Sequence, residues 1–188
     1  MDVAPSNEDS KEAKIPSGTR LRELYDQELR VVWKFLQRLG IPTSDLDDLT
    51  QEVFMRAFRL YDRYDPSRPV RPWILGITYH AAVDFLRSRG RAATVFEDPN
   101  DAADVADEKP TPDEQVYDDQ RRKILNDILA TMDLDKRALL VMHELSGQTV
   151  PQIAEVLDIP LNTAYSRLRL ARAQFDEAAR SWRKEHSV

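Results

Sequence analysis

Hydrophobic residues recur every three or four positions along much of this chain, which is the spacing of the buried face of an amphipathic α-helix. The first such stretch contains Leu21, Leu24, Tyr25, Val32, Phe35, Leu36 and Leu39, and the second contains Leu46, Leu49, Val53, Ala57 and Leu60. Gly40 and Pro42 lie between them and predict the end of the first helix. Ser44 is typical of helix N-caps and predicts the start of the second. A third helix is predicted from Trp73. Because no stretch alternates as a strand does, we expect an all-α protein.

The stretch TVPQIAEVLDIPLNTAYSRLRLARAQF, residues 149–175, has the pattern of a helix-turn-helix. Its first helix would begin at a capping box formed by Thr149 and Gln152. A tight break at residues 158–160 would follow, and then a longer helix that carries several arginines. The C-terminal part of the chain is therefore predicted to be a small helix-turn-helix domain.

Changes in composition divide the chain into four parts. Thr111 and Glu114 form a second capping box around Pro112, which predicts that a new helix starts there and runs to about Met132. The expected organisation is two small helical domains joined by an acidic flexible linker: a disordered tail at 1–18, a first domain at 19–92, the linker at 93–111 and the helix-turn-helix domain at 112–180.

The charge of the chain is unevenly distributed. The whole chain has 27 Lys and Arg against 33 Asp and Glu, a net charge of −6. Residues 94–119 hold ten acids and one base, so this stretch carries −9 and the rest of the chain carries +3. An acidic total is therefore compatible with a DNA-binding helix-turn-helix, because the acid is concentrated around the linker.

Several classes of protein do not fit the sequence. No apolar run approaches the roughly 18 residues of a membrane-spanning helix, and the N-terminus lacks the apolar core of a signal peptide. We therefore expect no membrane insertion and a cytoplasmic location. The chain has no cysteine, and its three histidines (His80, His143 and His186) are far apart. Metal-ligand spacings, nucleophile sets and phosphate loops are missing, so we expect no metal, no cofactor and no enzymatic activity.

The second helix of a helix-turn-helix enters the major groove of DNA, and the residues near its N-terminus reach the base edges. Arginine can donate two hydrogen bonds to guanine, and hydroxyl groups bind bases or phosphates. The candidate DNA-contacting residues are Asn162, Thr163, Tyr165, Ser166, Arg167, Arg169 and Arg172. The alternative is an ordinary helical hairpin with a solvated basic face.

Two surfaces of the first domain could bind partners. The helix DLDDLTQEVF, residues 45–54, presents acids and amides that could dock a basic protein, or it is simply a solvated helix face. The stretch RPVRPWILGITYHAAVDFLRSRGR, residues 68–91, mixes five arginines with aromatic rings. That mixture suits single-stranded nucleic acid, because rings stack on bases while arginines follow the backbone. The alternative is that Trp73 and Phe85 belong to the core.

Taken in order, these segments resemble an extracytoplasmic-function (ECF) sigma factor, a bacterial transcription initiation factor with a region 2 domain, a linker and a region 4 domain. DLDDLTQEVFMRAF resembles region 2.2, and RPWILGITYHAAVDFLRSRGR resembles regions 2.3 and 2.4. LSGQTVPQIAEVLDIPLNTAYSRLRLARAQF resembles region 4.2. The resemblance covers roughly residues 19–92 and 112–178.

The resemblance implies a protein that binds core RNA polymerase and directs it to promoters by reading their −35 and −10 elements. It implies that the clamp helices of the largest polymerase subunit bind Asp47, Asp48, Leu49, Gln51, Glu52, Val53 and Phe54. It implies that Arg68, Arg71, Trp73, Tyr79, His80 and Arg87 bind the −10 element and capture a flipped base, and that residues 161–172 read the −35 element. The implied partners are core polymerase (clamp helices and flap), promoter DNA and an anti-sigma factor.

The chain departs from the family pattern at a few positions. Asp158 stands where the turn of the helix-turn-helix often has glycine, Tyr165 where a basic residue is common, and His80 where asparagine is common. These differences concern the promoter sequence that is read rather than the fold.

Two other classes of protein share part of the pattern. A stand-alone helix-turn-helix regulator would explain only residues 149–175, and it would bind DNA tightly without polymerase. A helical adaptor that binds no DNA would tolerate neutral replacements at Arg167, Arg169 and Arg172.

Overall fold

The computed structural model describes residues 18–92 and 112–186, and within these ranges the chain is helical with short connections. The helices are α1 (Gly18–Arg38), α2 (Thr43–Leu60), α3 (Val70–Ala92), α4 (Pro112–Ala130), α5 (Leu134–Leu140), α6 (Val150–Val156) and α7 (Leu161–His186). One 3₁₀ turn, Tyr61–Arg63, follows α2, and one π-helical turn, Val141–Leu145, continues α5. The prediction of an all-α protein is confirmed.

Helices α1, α2 and α3 pack against one another and form an N-terminal group. The predicted stripe of α2 points into this group, with Leu46, Val53 and Ala57 fully buried. The N-cap prediction for α2 was wrong. The cap residue is Pro42, and Ser44 lies inside the first turn, where its hydroxyl donates to Asp45 at 2.9 Å.

Helices α4 to α7 form a C-terminal group that contains the helix-turn-helix. As predicted, Gln152 accepts a hydrogen bond from the backbone N–H of Thr149 at 2.9 Å, where α6 starts. The chain reverses at Asp158, whose φ of 52° lies in the left-handed region. Glycine is usual there, but aspartate and asparagine are the other residues that tolerate it. The turn therefore forms without the glycine that the family often has.

The two groups also pack against each other, mainly through α3 and α6. Buried side chains from both groups belong to one hydrophobic cluster. Gly76 of α3 is what permits the close approach, because a Cβ atom at this position would lie 2.9 Å from the Cβ of Val156. The relative position of the two groups is thus fixed by direct contact.

The predicted helix bounds differ from the observed ones by a few residues. Helix α3 starts at Val70 rather than at Trp73, because Pro72 fits the first turn of a helix, where its missing N–H is not needed. Helix α4 ends at Ala130, two residues before the predicted end. The predictions for the tail, the linker and the capping box at Thr111 concern residues outside the described ranges.

Candidate protein-binding and DNA-binding surfaces

The acidic face predicted on α2 is present at the surface. Asp47, Asp48, Gln51 and Glu52 are all exposed. Asp47 accepts a hydrogen bond from the indole Nε1 of Trp33 at 3.1 Å, which ties it to α1. These four side chains form a polar surface on one side of α2, on which Glu52 accepts hydrogen bonds from Arg56 at 3.0 and 2.6 Å.

Three other residues of the predicted polymerase-binding set lie inside the molecule. Leu49, Val53 and Phe54 are 3%, 0% and 2% exposed, so they contribute little to the outer surface of α2. They lie on the face of α2 that packs against α1 and α3. In this structure they hold α2 in place, and their predicted contact with the polymerase stays a prediction.

A groove lies beside the acidic face, between α1 and α2, with a volume of about 530 Å³. It is lined by Tyr25, Leu29, Arg30, Trp33, Lys34, Asp47, Thr50, Gln51, Phe54, Met55 and Phe58. Met55 is 53% exposed and Tyr25 39%, so the groove adds apolar surface to the polar one. The sequence analysis did not identify the residues that α1 contributes to this groove. The only sequence signal for them is the amphipathic pattern of α1.

Arg71, predicted to contact DNA, forms a structural ion pair instead. Its guanidinium donates to both carboxylate oxygens of Glu28, at 3.0 and 3.2 Å. The Glu28 side chain is only 5% exposed, so it requires this partner. The hydrogen bond and charge of Glu28 raise the pKa of Arg71, although burial acts against this. In this structure Arg71 joins α3 to α1, while its own side chain remains 45% exposed.

Aromatic rings organise the connection between α2 and α3. Trp73 is half-buried and packs against two tyrosines, with ring centroids 6.2 Å from Tyr61 and 4.9 Å from Tyr64. The Tyr64 hydroxyl donates to the backbone carbonyl of Arg68, and burial raises the pKa of that hydroxyl. The sequence reading singled out Trp73 but missed the two tyrosines, which shape the loop around it.

Tyr79 and His80 lie on α3 with different surroundings. The Tyr79 hydroxyl donates to Asp135 at 2.7 Å, a contact that joins the N-terminal and C-terminal groups. Burial, and then the hydrogen bond to Asp135, raises the pKa of Tyr79. His80 is exposed, with its ring 5.3 Å from that of Tyr79, and Arg87 is exposed two turns further along the helix.

The N-terminal turns of α7 present most of the residues predicted to read bases. Asn162, Tyr165, Ser166 and Arg169 are exposed, whereas Thr163 is half-buried. The Ser166 hydroxyl donates to the carbonyl of Thr163 at 2.9 Å, within the helix. The structure therefore brings these five residues to one helix end, and four of them can reach a ligand.

The other two arginines of the predicted set are paired with acids of the same group. Arg167 lies 3.2 Å from Asp135, and Arg172 lies 2.6 Å from Glu144. Both pairs are partly exposed, so their contribution to stability is small and they can exchange partners. A phosphate could replace either carboxylate.

Comparison with known families identifies the chain. The Sigma-70 region 2 family matches residues 24–92, and the Sigma-70 region 4 family matches residues 122–175. An RNA polymerase sigma factor of Cupriavidus metallidurans, CnrH, is 31% identical over 140 residues, which cover 72% of this chain and 73% of CnrH. The chain belongs to the sigma-70 family as an ECF sigma factor. It directs RNA polymerase to promoters.

Two further similarities agree with this assignment. The ECF sigma factor SigE of Mycolicibacterium smegmatis is 34% identical over 155 residues, covering 81% of this chain and 58% of SigE, so the match spans just over half of that relative. In fold, the chain is similar to a sigma factor RpoE solved in complex with the anti-sigma factor NepR from Bartonella quintana. That likeness has a TM-score of 0.66 at 20% identity and covers 86% of this chain and 98% of RpoE.

A second groove of this sigma factor lies within the C-terminal group and has a volume of about 400 Å³. It is lined by Leu125, Leu129, Leu140, Val141, Glu144, Leu145, Arg172, Phe175 and Asp176. The π-helical turn forms one wall, and Leu145 on it is 43% exposed. Sequence reasoning missed this groove, because the residues that line it come from three separate helices.

Within residues 18–92 and 112–186, no cluster of His, Asp or Glu has the arrangement of a metal site. Among the helices of those ranges, none combines the length and apolar character needed to cross a bilayer.

Alanine substitutions at the neighbouring residues Phe54 and Met55 test which of the two belongs to the hydrophobic core. Phe54→Ala should lower the free energy of unfolding by about 3–5 kcal/mol, because it leaves a cavity. Met55→Ala should change it by no more than about 0.5 kcal/mol, because Met55 is exposed. Urea denaturation followed by circular dichroism measures both. Equal effects would contradict the buried position of Phe54.

Proposed function

We propose that this sigma factor uses two oppositely charged surfaces for its two partners. The acidic face and groove of α2 bind the clamp helices of core RNA polymerase, and the first turns of α7 read the −35 element. One observation supports this proposal. The acidic face of α2 belongs to the N-terminal group, whereas the exposed Arg169 of α7 belongs to the C-terminal group. We assign the groups to domains at residues 19–92 and 112–180.

The clamp contact follows from charge and shape. Asp47, Asp48, Gln51 and Glu52 supply acceptors for basic side chains of the polymerase, which guide encounter and orientation. The groove beside them, with Met55 at its edge, offers apolar area that the partner can cover. Leu49, Val53 and Phe54 support this surface from below.

Reading of the −35 element falls to the exposed residues of α7. Arg169 stands where it can donate two hydrogen bonds to a guanine, and Asn162 and Ser166 can serve bases or phosphates. Arg167 and Arg172 would exchange their carboxylate partners for phosphates. The N-terminus of α7 adds the partial positive charge of the helix dipole.

For the −10 element we propose a site around Trp73, Tyr79 and His80, with Arg68 and Arg87 holding phosphates. A base that has left the stack can be read on its edge and packed against aromatic rings. The rings of Tyr61 and Tyr64 pack against Trp73 and hold the connection between α2 and α3 in place in the absence of DNA. Arg71 belongs to the same site, since its side chain is 45% exposed although it is paired with Glu28.

Further partners and properties are part of the proposal. The groove of the C-terminal group suits an apolar helix, and we assign it to the polymerase flap. By analogy with RpoE, which was solved in complex with the anti-sigma factor NepR, we propose that an anti-sigma factor regulates this protein. We place the protein in the cytoplasm and assign it no catalytic activity, metal or cofactor.

Transcription in vitro tests the function. Purified bacterial core polymerase should start specific transcripts from a pool of promoter fragments only when this protein is added. Shared sequences upstream of the start points would then define the two elements. If no transcript starts while the protein alone shifts duplex DNA, a stand-alone helix-turn-helix regulator explains the chain better.

Charge reversal on α2 tests the clamp contact. Asp48→Arg should weaken core polymerase binding by about tenfold or more, because a like charge would face the basic partner. Asp127→Arg on α4 is the matched control, since Asp127 is also an exposed acid and lies on the other group. Fluorescence anisotropy titration with core polymerase gives both affinities. Equal affinities of the two variants would refute the assignment.

Removal of one arginine tests −35 reading. Arg169→Ala should weaken the free energy of promoter binding by about 1–3 kcal/mol. The loss should occur only on promoters with an intact −35 element. Arg180→Ala is the control, because Arg180 is exposed on the same helix about 16 Å further along. Footprinting of the holoenzyme on promoters with and without the element measures the difference. A −35 footprint unaffected by Arg169→Ala would exclude this role.

A further inference from the structure

Two large apolar side chains are exposed at the beginning of α7. Leu161 is 44% exposed and Tyr165 is 52% exposed. They are four residues apart, so their side chains are neighbours on the helix surface, and Arg169 continues the row by another four residues. Leu161, Tyr165 and Arg169 therefore form one line along the part of α7 that we assign to the −35 element.

The packing of α7 uses a different face of the helix. Ala164, Leu168 and Ala171 are at most 3% exposed and hold α7 against the rest of the C-terminal group. Leu161 and Tyr165 lie outside this face, so the core gains little from their apolar character. A contact with a ligand would cover the apolar surface that the fold leaves in water.

Tyr165 and Arg169 also lack the internal partners that other side chains of α7 have. Arg167 and Arg172 form ion pairs with acids of the same group. Among residues 18–92 and 112–186, by contrast, no hydrogen bond, ion pair or ring contact engages Tyr165 or Arg169. No internal contact has to be broken before these two side chains meet DNA.

The chemistry of the major groove decides what an apolar side chain can recognise there. Base edges present hydrogen-bond donors and acceptors, and the one methyl group among them belongs to thymine. The hydrocarbon side chain of Leu161 can pair with neither the polar edges nor the charged phosphates, but it can cover that methyl group. The ring carbons of Tyr165 can do the same. Burying one such group strengthens binding by about fourfold.

The geometry of α7 sets the spacing of the bases that the row can reach. Residues four apart are separated by about 6 Å along a helix axis. This distance corresponds to about two base pairs, at about 3.4 Å each, for a helix that lies along the major groove. The bases opposite Leu161 and Tyr165 should therefore be about two base pairs apart, and the base opposite Arg169 should lie about two base pairs further on.

We propose that Leu161 and Tyr165 form an apolar pair that recognises the methyl groups of two thymines in the −35 element, beside the base read by Arg169. This inference rests on the −35 site proposed above and names bases that the site selects. The pair distinguishes thymine from cytosine, which has no methyl group at the same place. It thus adds apolar selection to the hydrogen bonds of Arg169.

Deoxyuridine tests this proposal, because it differs from thymidine only in lacking the methyl group. Holoenzyme assembled from this protein and core polymerase is titrated onto fluorescently labelled promoter fragments from the transcription experiment. Thymines of the −35 element are replaced one at a time, on either strand. Two of the replacements should each weaken binding by about fourfold. The proposal is overturned if every replacement leaves the affinity unchanged, or if the element contains no A·T pair.

Alanine variants then assign each methyl group to a side chain. Leu161→Ala should remove the effect of one deoxyuridine replacement, and Tyr165→Ala should remove the effect of the other. Leu170→Ala is the matched control and should keep both effects. Leu170 is 49% exposed on the same helix, but it lies about 140° around the axis from Tyr165. If both effects persist in the Leu161 and Tyr165 variants, the assignment is overturned.

Folding and the proposed function are tested separately from this inference. Circular dichroism shows whether each variant keeps its helical content, and the deoxyuridine series on the wild-type protein needs no variant at all. A failure to start transcripts counts against the proposed function and against this inference with it. Normal transcription, together with a normal −35 footprint on every deoxyuridine promoter, counts against thymine recognition alone.

Discussion

The ion pair between Glu28 and Arg71 fixes the start of α3 on α1, and much of the molecule depends on where α3 starts. A carboxylate that is 5% exposed needs its partner, since an unpaired buried charge is strongly destabilising. Once α3 is anchored there, Trp73 meets the rings of Tyr61 and Tyr64, and the loop before it takes its shape. The same anchor directs Gly76 towards α6. This ion pair therefore helps to position the beginning of α3, alongside the hydrophobic cluster that α3 shares with its neighbours.

The helices could be predicted well from the sequence, because an amphipathic helix places hydrophobic residues every three or four positions. The stripe of α2 and the turn at Asp158 depend on neighbours within a few residues, and both appear as expected. The use of Arg71 could not be predicted, because its partner Glu28 lies 43 residues away and nothing local distinguishes a paired arginine from a free one. The burial of Phe54 could not be predicted for a related reason: the pattern of one helix does not show which of its aromatic residues the rest of the fold covers.

The site residues show the same division between local and long-range information. The end of α7 that we propose to read bases could be located from the turn and the arginine spacing, since both are local. The grooves beside α2 and in the C-terminal group could not, because each is formed by several helices. The contacts of Asp135, Arg137 and Glu155 join parts of the chain separated by 56 to 98 residues. Only the folded structure brings them next to the proposed −10 surface.

Several arginines of the proposed DNA-binding surfaces are paired with acids in the free chain. Arg68, Arg71, Arg167 and Arg172 each face a carboxylate of the same chain. Exposed pairs such as Arg68 with Glu155 contribute little to stability, whereas the packing at Gly76 and the buried contacts of Arg137 are less easily replaced. The interface between the groups is therefore held by few strong contacts.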